Sequence, residues 1–523
     1  MNHPEKDKIL KSSAFTRRSF IHSCTACAAC MALAPMALTT NACSSPGSKK
    51  KLKIRVLYSL HAVVQPGPDW PNVGFDFGPP MERINSALTA NFSDMEFMPV
   101  LATGPEDAVR IVEEDKNNAI DGYIVYQMNC WNRVIQTIAE TGKPVLYADF
   151  QYGGSGGFLV YNASLLRQEN RNVGFVASSD MKDLISAVSC FTITGKGGSV
   201  SEFVSAVDKA RLKSTPGVKK YQPLINEINA LSPDECVKHL SESKILAVND
   251  QESKIAEPLM GIPLEYIPFS EVNEAWSSAD HGESVSIAER WQKEALEVID
   301  VPFETLVTSA AMYIGMKSVL KNHGANAITV NCLGGFYGGH IHAYPCLGFH
   351  ELCNEGLVGG CECDVRSAAT MLAFATMTGG RPGFISDPVI DTSKHQIIYA
   401  HCVASNRVFG PLGGKNPFRI MTHSEDRAGA SVQSILPGNY LTTTLEINGD
   451  RKEILFHQAV SVDNDPDDRA CRTKLCAEPL GDIEKLFTMW DSWGWHRVTF
   501  YGDLKEPVHA FADRIGWKVI EEA

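Results

Sequence analysis

Between positions 359 and 402 the chain reads GGCECDVRSAATMLAFATMTGGRPGFISDPVIDTSKHQIIYAHC. Carboxylates at Glu362, Asp364 and Asp387, and imidazoles at His395 and His401, stand there among apolar runs and glycines. Acidic side chains beside residues destined for a core need a compensating charge, a hydrogen-bond donor or a metal. A mixed carboxylate and imidazole set suits a divalent ion such as Mn²⁺, Mg²⁺ or Zn²⁺. Each residue also has a plain structural reading. Glu362 could pair with Arg366 one helical turn on. Asp387, before Pro388, could open a turn, and Asp364 suits a helix cap or a supporting role behind a ligand. A second histidine pair, His340 and His342, lies in the loop GGFYGGHIHAYPC, where a spacing of two aims both rings one way only on a strand.

The elements that must position these groups read as alternating strands and helices. Residues 51–59 alternate and are β-branched, a first strand. Strands follow at 95–100, 120–126 and 144–147, with helices at 81–90, 105–114 and 132–140. Short joints between such units predict a parallel, doubly wound sheet. Ligands in that architecture sit beyond the carboxyl ends of strands, where Gln127, Asn129, Asp149 and the run YGGSGG fall. The glycine run lacks a phosphate-loop spacing and reads as a flexible turn. The long Pro- and Gly-rich loop at 65–80, with Trp70, Phe75 and Phe77, is too long for a plain connector. A second α/β unit takes in strands at 172–178, 244–250 and 265–268, and a helix over 284–299. The third region opens with a helix at 305–321 and a strand at 327–330. It continues with helices at 348–355 and 365–377, a short strand at 382–386 and a strand at 397–401. From about Asn406 it becomes β-rich, which predicts a barrel-like module. The fold class is therefore α/β: two doubly wound domains (51–172 and 173–322), then a C-terminal α/β plus β-barrel-like domain (323–523) carrying the candidate site.

A chain of 523 residues exceeds one ordinary core. With 44% hydrophobic and 21% charged residues it is ordinary for a globular protein. A net charge of −13 and no basic stretch beyond the N-terminus argue against nucleic-acid binding and fit a small neutral substrate. Residues 1–50 read as an export signal and tether. TRRSFI at 16–21 has a twin-arginine pattern, a short weakly apolar run follows, and Cys43 after Ala42 sits where a lipoprotein would be cleaved and acylated. The expected location is outside the cytoplasm, either periplasmic or membrane-anchored through Cys43. Of 15 cysteines, four lie in that segment; Cys361 and Cys363 match no zinc or iron–sulfur spacing and read as buried, unreactive thiols.

Taken in order, CECD, GFISD, IIYAHC, HSEDRAG, CRTK and GWHRVTFYGDL resemble the L-fucose/L-arabinose isomerase superfamily, best over about 320–523. The resemblance implies an aldose–ketose isomerase that uses Mn²⁺ or a similar divalent ion and assembles as a homo-oligomer. It also implies a ligand set. Glu362 in Cys-Glu-Cys-Asp and Asp387, 25 residues later, match two carboxylates that bind metal and shuttle protons. His496 in Gly494–Trp495–His496 matches a C-terminal ligand, and His401 matches a further histidine of the arabinose-type members. Moving a proton between C1 and C2 of a sugar passes through an enediol and needs a base, an acid and a positive centre. The structural reading of His496 is a satisfied ring packed by Trp493 and Trp495, and HSED at 423–426 reads equally as a solvated loop. Two further functions share these residues: an exported sugar-binding lipoprotein that keeps the isomerase fold without turnover, and an epimerase using the same enediol.

Overall fold

The computed structural model describes residues 51–523 except Asn170; the export signal and Cys43 lie outside the described residues. Strand β1 (Leu52–Ser59) is buried from Ile54 onward and pairs on both sides. With β2 (Met95–Ala102), β3 (Gly122–Gln127), β4 (Val145–Asp149) and β5 (Val173–Val176) it forms a parallel sheet of order β2-β1-β3-β4-β5. The order reverses between β1 and β3, so the loops after these two strands flank the crevice where such sheets take ligands. The YGGSGG run is a tight entry into helix Ser155–Leu166 rather than a free turn. A Cβ on Gly154 would lie 1.9 Å from the carbonyl oxygen of Gln127, so only glycine lets this helix meet β3.

Five more strands follow with one that departs from them: β6 (Ile245–Asn249), β7 (Lys254–Leu259), β8 (Ile262–Pro268), β9 (Glu297–Ile299), β10 (Ala327–Val330) and β11 (Val358–Cys361). The second sheet runs β11-β10-β6-β8-β7, parallel except for the β7–β8 hairpin. Helical periodicity over 284–299 overstates one element. The helix is His281–Glu294, and Glu297–Ile299 instead pairs parallel with β14 (Phe418–Met421), which also meets β15 (Ser431–Ser434). The Leu296 amide donates to the Phe418 carbonyl at 2.8 Å, so tertiary pairing overrides the apolar spacing.

The C-terminal region is a closed barrel. Strands β12 (Phe384–Asp391), β13 (Gln396–His401), β16 (Leu441–Asn448), β17 (Glu453–Asn464), β18 (Thr473–Pro479) and β19 (Arg497–Tyr501) run β16-β19-β12-β13-β18-β17, and β17 pairs back to β16. β20 (Lys518–Glu521) adds to β17 in parallel. The fold is thus α/β with parallel sheets and a closed six-stranded barrel, the class read from the sequence. The barrel begins at Phe384, earlier than the β-rich run suggests, and Asp387 sits inside β12 rather than at a turn. Pairing of β12 with β19 stops at Ser386, so Pro388, which has no N–H to give, falls just past the end of that ladder.

Polar side chains from several strands meet across the barrel interior. Tyr399 and His457 are 2.7 Å apart, His457 meets Glu522 at 2.9 Å, and Arg497 meets Glu522 at 2.7 Å. Arg497 and Glu522 side chains are 0% exposed, and the guanidinium lies 3.9 Å from the Trp490 ring centre. Sheet one packs on the barrel's flank through contacts such as Phe175 on Phe487.

Candidate metal centre

Register brings the site together. On the barrel, Asp387 pairs with Ala400, which places it beside His401 at the end of β13. Ser386 pairs with Arg497, which places Asp387 beside His496, the residue before β19. The fourth group, Glu362, follows the carboxyl end of β11 in the second sheet. Ligand atoms of Glu362, Asp387, His401 and His496 all lie within 4.8 Å of one another. His496 Nε2 is 3.4 Å from Asp387 Oδ1 and 3.6 Å from Glu362 Oε2. His401 Nε2 is 3.8 Å from Asp387 Oδ2 and 3.9 Å from Glu362 Oε1.

Two backbone features hold these side chains. Glu362 and Cys363 both adopt left-handed conformations, with φ of 61° and 53°. For non-glycine residues that costs on the order of 1 kcal/mol or more each, and it turns the Glu362 carboxylate off the strand end into the cluster. Gly494 has φ 77° and ψ −178°, a region essentially reserved for glycine. A Cβ there would also fall 2.2 Å from Arg366 Nη2. Gly494→Ala is expected to cost about 1–3 kcal/mol and to weaken metal binding by displacing His496. Thermal unfolding and metal titration check this, and wild-type values in both would contradict the assigned strain.

His496 is the best placed of the four to act as a ligand. It is 1% exposed, and its Nδ1 donates to Asp364 Oδ2 at 2.8 Å, which leaves the Nε2 lone pair facing Glu362 and Asp387. A carboxylate behind a ligating imidazole fixes tautomer and orientation. Asp364 does this while capping helix Val365–Met377, its Oδ1 accepting the amides of Arg366 and Ser367. Burial alone would push the Asp364 carboxyl up, but the His496 hydrogen bond and charge hold it well below the usual range. His401 is less ready. Its Nδ1 accepts the Cys402 amide at 2.9 Å, so the neutral ring carries its proton on Nε2. Burial, with His496 and His423 nearby, keeps it neutral. Both Nε2 atoms are buried without a hydrogen-bond partner.

The donor set fits a small divalent cation: two carboxylates and one imposed imidazole lone pair, with a second imidazole alongside. The electrostatics agree. Burial, reinforced by Glu362 and Glu425, pushes Asp387 up to about 8. Burial opposes charge on His496, yet Asp387 and Glu362 raise it to about 10. The cluster gathers protons because it lacks positive charge of its own. A cation must displace them, so metal affinity should rise with pH, by up to about tenfold per unit for each proton released. The rise should be steepest below pH 8 and continue more gently above it, because His496 holds its proton up to about 10, measured by competitive metal titration between pH 6 and 9. A flat profile below pH 8 would contradict the proton load.

The structure brings together Glu362, Asp387, His401 and His496, and leaves other candidates outside. His395 lies at the far end of the β12–β13 hairpin, one residue before Gln396, whose pairing with Asp391 closes the ladder at the end away from Asp387. His340 stacks on Phe269 at 5.6 Å and His342 packs near Trp276 at 6.0 Å. Glu362 makes no ion pair with Arg366 among the described residues. Cys361 is buried and Cys363 partly so; burial raises both thiols, Cys363 to about 12.

Sequence reasoning missed several neighbours. HSED is not a solvated loop: His423 and Ser424 are 4% and 2% exposed. Glu425 accepts the Tyr337 hydroxyl at 2.9 Å, and burial, with Asp69 and Glu362 adding to it, pushes it up to about 7. The Glu425 carbonyl takes the Val73 amide at 2.8 Å, tying the 65–80 loop to the site, and His61 pairs with Asp69 at 2.8 Å. Trp495 donates to Glu362 Oε2 at 3.3 Å and meets Trp131 edge-on at 5.9 Å. These indoles are 42% and 49% exposed, an apolar wall beside a charged cluster. An aromatic after a strand and a charged tetrapeptide carry no periodic signal of such convergence.

No protein-family model matches the chain. Over 221 residues it is 24% identical to the sulfoquinovose isomerases of Priestia aryabhattai and Priestia megaterium (strain ATCC 12872 / QMB1551), covering 39% of this chain and 48% of theirs. The chain thus spans about half the length of these relatives. Among solved structures, the XylFII–LytSN complex overlays 56% of this chain and 85% of its own at 12% identity with a TM-score of 0.15. The regulator CcpA of Lactococcus lactis overlays 62% and 90% at 10% identity and 0.16. Scores this low carry no argument about the fold. The sequence match relates this chain, at a distance, to sugar isomerases.

Proposed function

We propose that this protein is a metal-dependent aldose–ketose isomerase acting on a small sugar. The observation that carries the reading is the meeting of Glu362 and Asp387 with the His496 lone pair that Asp364 imposes. Glu362, Asp387 and His496 would hold the ion, with His401 as the weaker fourth ligand; Mn²⁺ is the proposed metal. When bound, the cation supplies positive charge for two adjacent sugar oxygens. The protein's own groups do the proton work. One of the two carboxylates takes the proton from C2 of the open-chain aldose and returns it to C1, while a second proton passes from O2 to O1. Nothing is lost or gained overall, so no redox partner is needed. Glu425, tied to the Tyr337 hydroxyl, offers a carboxyl near neutrality for the oxygen-to-oxygen transfer. Trp131 and Trp495 give an apolar face on which the carbon side of a sugar can rest.

The test is ketose formation from a panel of pentoses, hexoses, 6-deoxyhexoses and sulfoquinovose, in chelator-treated protein with and without added Mn²⁺. Metal-restored conversion of at least one aldose is expected. Stoichiometric metal binding with no conversion of any sugar would overturn the reaction and leave a binding protein; a product epimeric at one carbon would overturn the isomerase in favour of an epimerase.

A further inference from the structure

A cavity of about 380 Å³ lies between the three-stranded sheet and the β17–β18 edge of the barrel. None of the four converging residues lines it, so it stands apart from the isomerase reading. Arg419, Arg472 and Lys474 face it against Glu297 and Asp465, a basic surplus in a chain of net charge −13. Lys474 is the unusual member. It is 2% exposed, yet among the described residues its ammonium has no hydrogen bond and no ion pair; it lies over the Tyr152 ring, 6.0 Å from the ring centre.

The nearby acids are already engaged. Asp465 Oδ1 accepts the Asp467 amide at 2.8 Å, and Asp467 is held by Arg469 at 2.6 Å. Arg472 is also spent, giving its Nε to the Thr422 carbonyl at 2.7 Å and a further N–H to Asp468. Arg419 is only partly used. Nη1 donates to Gln433 Oε1 at 3.0 Å, but Nε lies 3.6 Å from Glu297, beyond a good hydrogen bond. Two basic groups with free donors therefore border one cavity. A deeply placed ammonium that makes no ion pair of its own is costly and persists where something else benefits from it. Burial lowers the Lys474 pKa, in line with that cost.

We propose that this cavity is a binding site for a small oxyanion, a phosphate, sulfate or carboxylate group held by the Lys474 ammonium and the Arg419 guanidinium. The group arrives either as a free ion or as the charged end of a small metabolite. Charge-assisted hydrogen bonds of this kind are the strong ones, and each is worth a large factor in affinity.

The experiment measures binding of inorganic phosphate and, separately, of a hexose 6-phosphate to the metal-loaded protein, by calorimetry and by thermal shift. Saturable binding is expected for at least one probe; binding of both assigns the free ion, and binding of the sugar phosphate alone assigns an anion carried on a metabolite. Lys474→Met keeps the aliphatic stem and is expected to weaken binding by about tenfold or more. It should also raise the unfolding midpoint in the absence of phosphate, which a lysine with a purely structural role would not do. Should Lys474→Met fail to fold, Arg419→Met, at the more open wall, is expected to weaken the same binding. Asp387→Asn should leave phosphate affinity unchanged, which separates this cavity from the metal centre. No saturable binding of either probe, unaltered binding in the variants, or binding lost only in Asp387→Asn would overturn the proposal.

Discussion

Asp387→Asn is expected to lower isomerisation by about 10²–10⁴-fold, the range of a positioned acid–base group, and to strip bound divalent metal. It should at the same time raise the unfolding midpoint of the metal-free protein. Both effects come from one fact: this carboxylate is drawn out of water beside Glu362, and that desolvation outweighs the nearby His496 and pushes it up to about 8. A carboxyl raised in the folded state favours folding fully below its unfolded value, near 3.8, and that contribution is lost as pH climbs through 8. At pH 7 the native aspartate therefore taxes the metal-free fold, and asparagine removes the tax while keeping the shape. Calorimetric melting with and without Mn²⁺ checks the sign. A variant less stable than wild type without metal, or one still fully active, would contradict this placement of Asp387.

Glu522→Gln is expected to cost about 3–5 kcal/mol, the penalty for leaving a buried charge without its partner. Arg497 would be the stranded group, at 0% exposure, with His457 losing the acceptor of its Nδ1. Burial opposes the Glu522 charge, but Arg497 and His457 hold its pKa down to about 2. A depressed carboxyl contributes stability above its unfolded value of 4.5 and loses it as pH falls through 2. Wild type should therefore weaken toward acid over that window, and the glutamine variant should show less of this acid sensitivity. Urea midpoints between pH 2 and 7 measure it. Because Arg497 opens β19 directly after His496, the variant should also bind metal more weakly.

Much of this architecture could be read in the residues. Strand β10 and helix Val365–Met377 have the bounds expected from their patterns, since each is buried, uninterrupted and punctuated at both ends. Glu362, Asp387 and His496 could be chosen as a trio because their residue types and order resemble a known pattern; the barrel register sets Asp387 beside His496, and Glu362 reaches them from the end of β11. What could not be read depends on contacts distant in sequence. The strand Glu297–Ile299 exists because Phe418 offers a partner. β18 reads as TKLCAEP, in which Lys474 and Glu478 give no hint of a strand buried along its whole length. Asp364 was legible as a helix cap, but its hold on His496 spans 132 residues and has no local signature. Trp131 and Glu425 enter the site from loops, where spacing carries no directional information.

Whether one divalent ion sits among Glu362, Asp387 and His496 is tested most directly by anomalous diffraction from crystals grown with Mn²⁺ and measured at the manganese edge. The expected result is a single strong peak at roughly 2.0–2.2 Å from a carboxylate oxygen of each acid and from His496 Nε2, the range of small divalent ions. A peak at another place on the chain, or none within this cluster at saturating Mn²⁺, would contradict it.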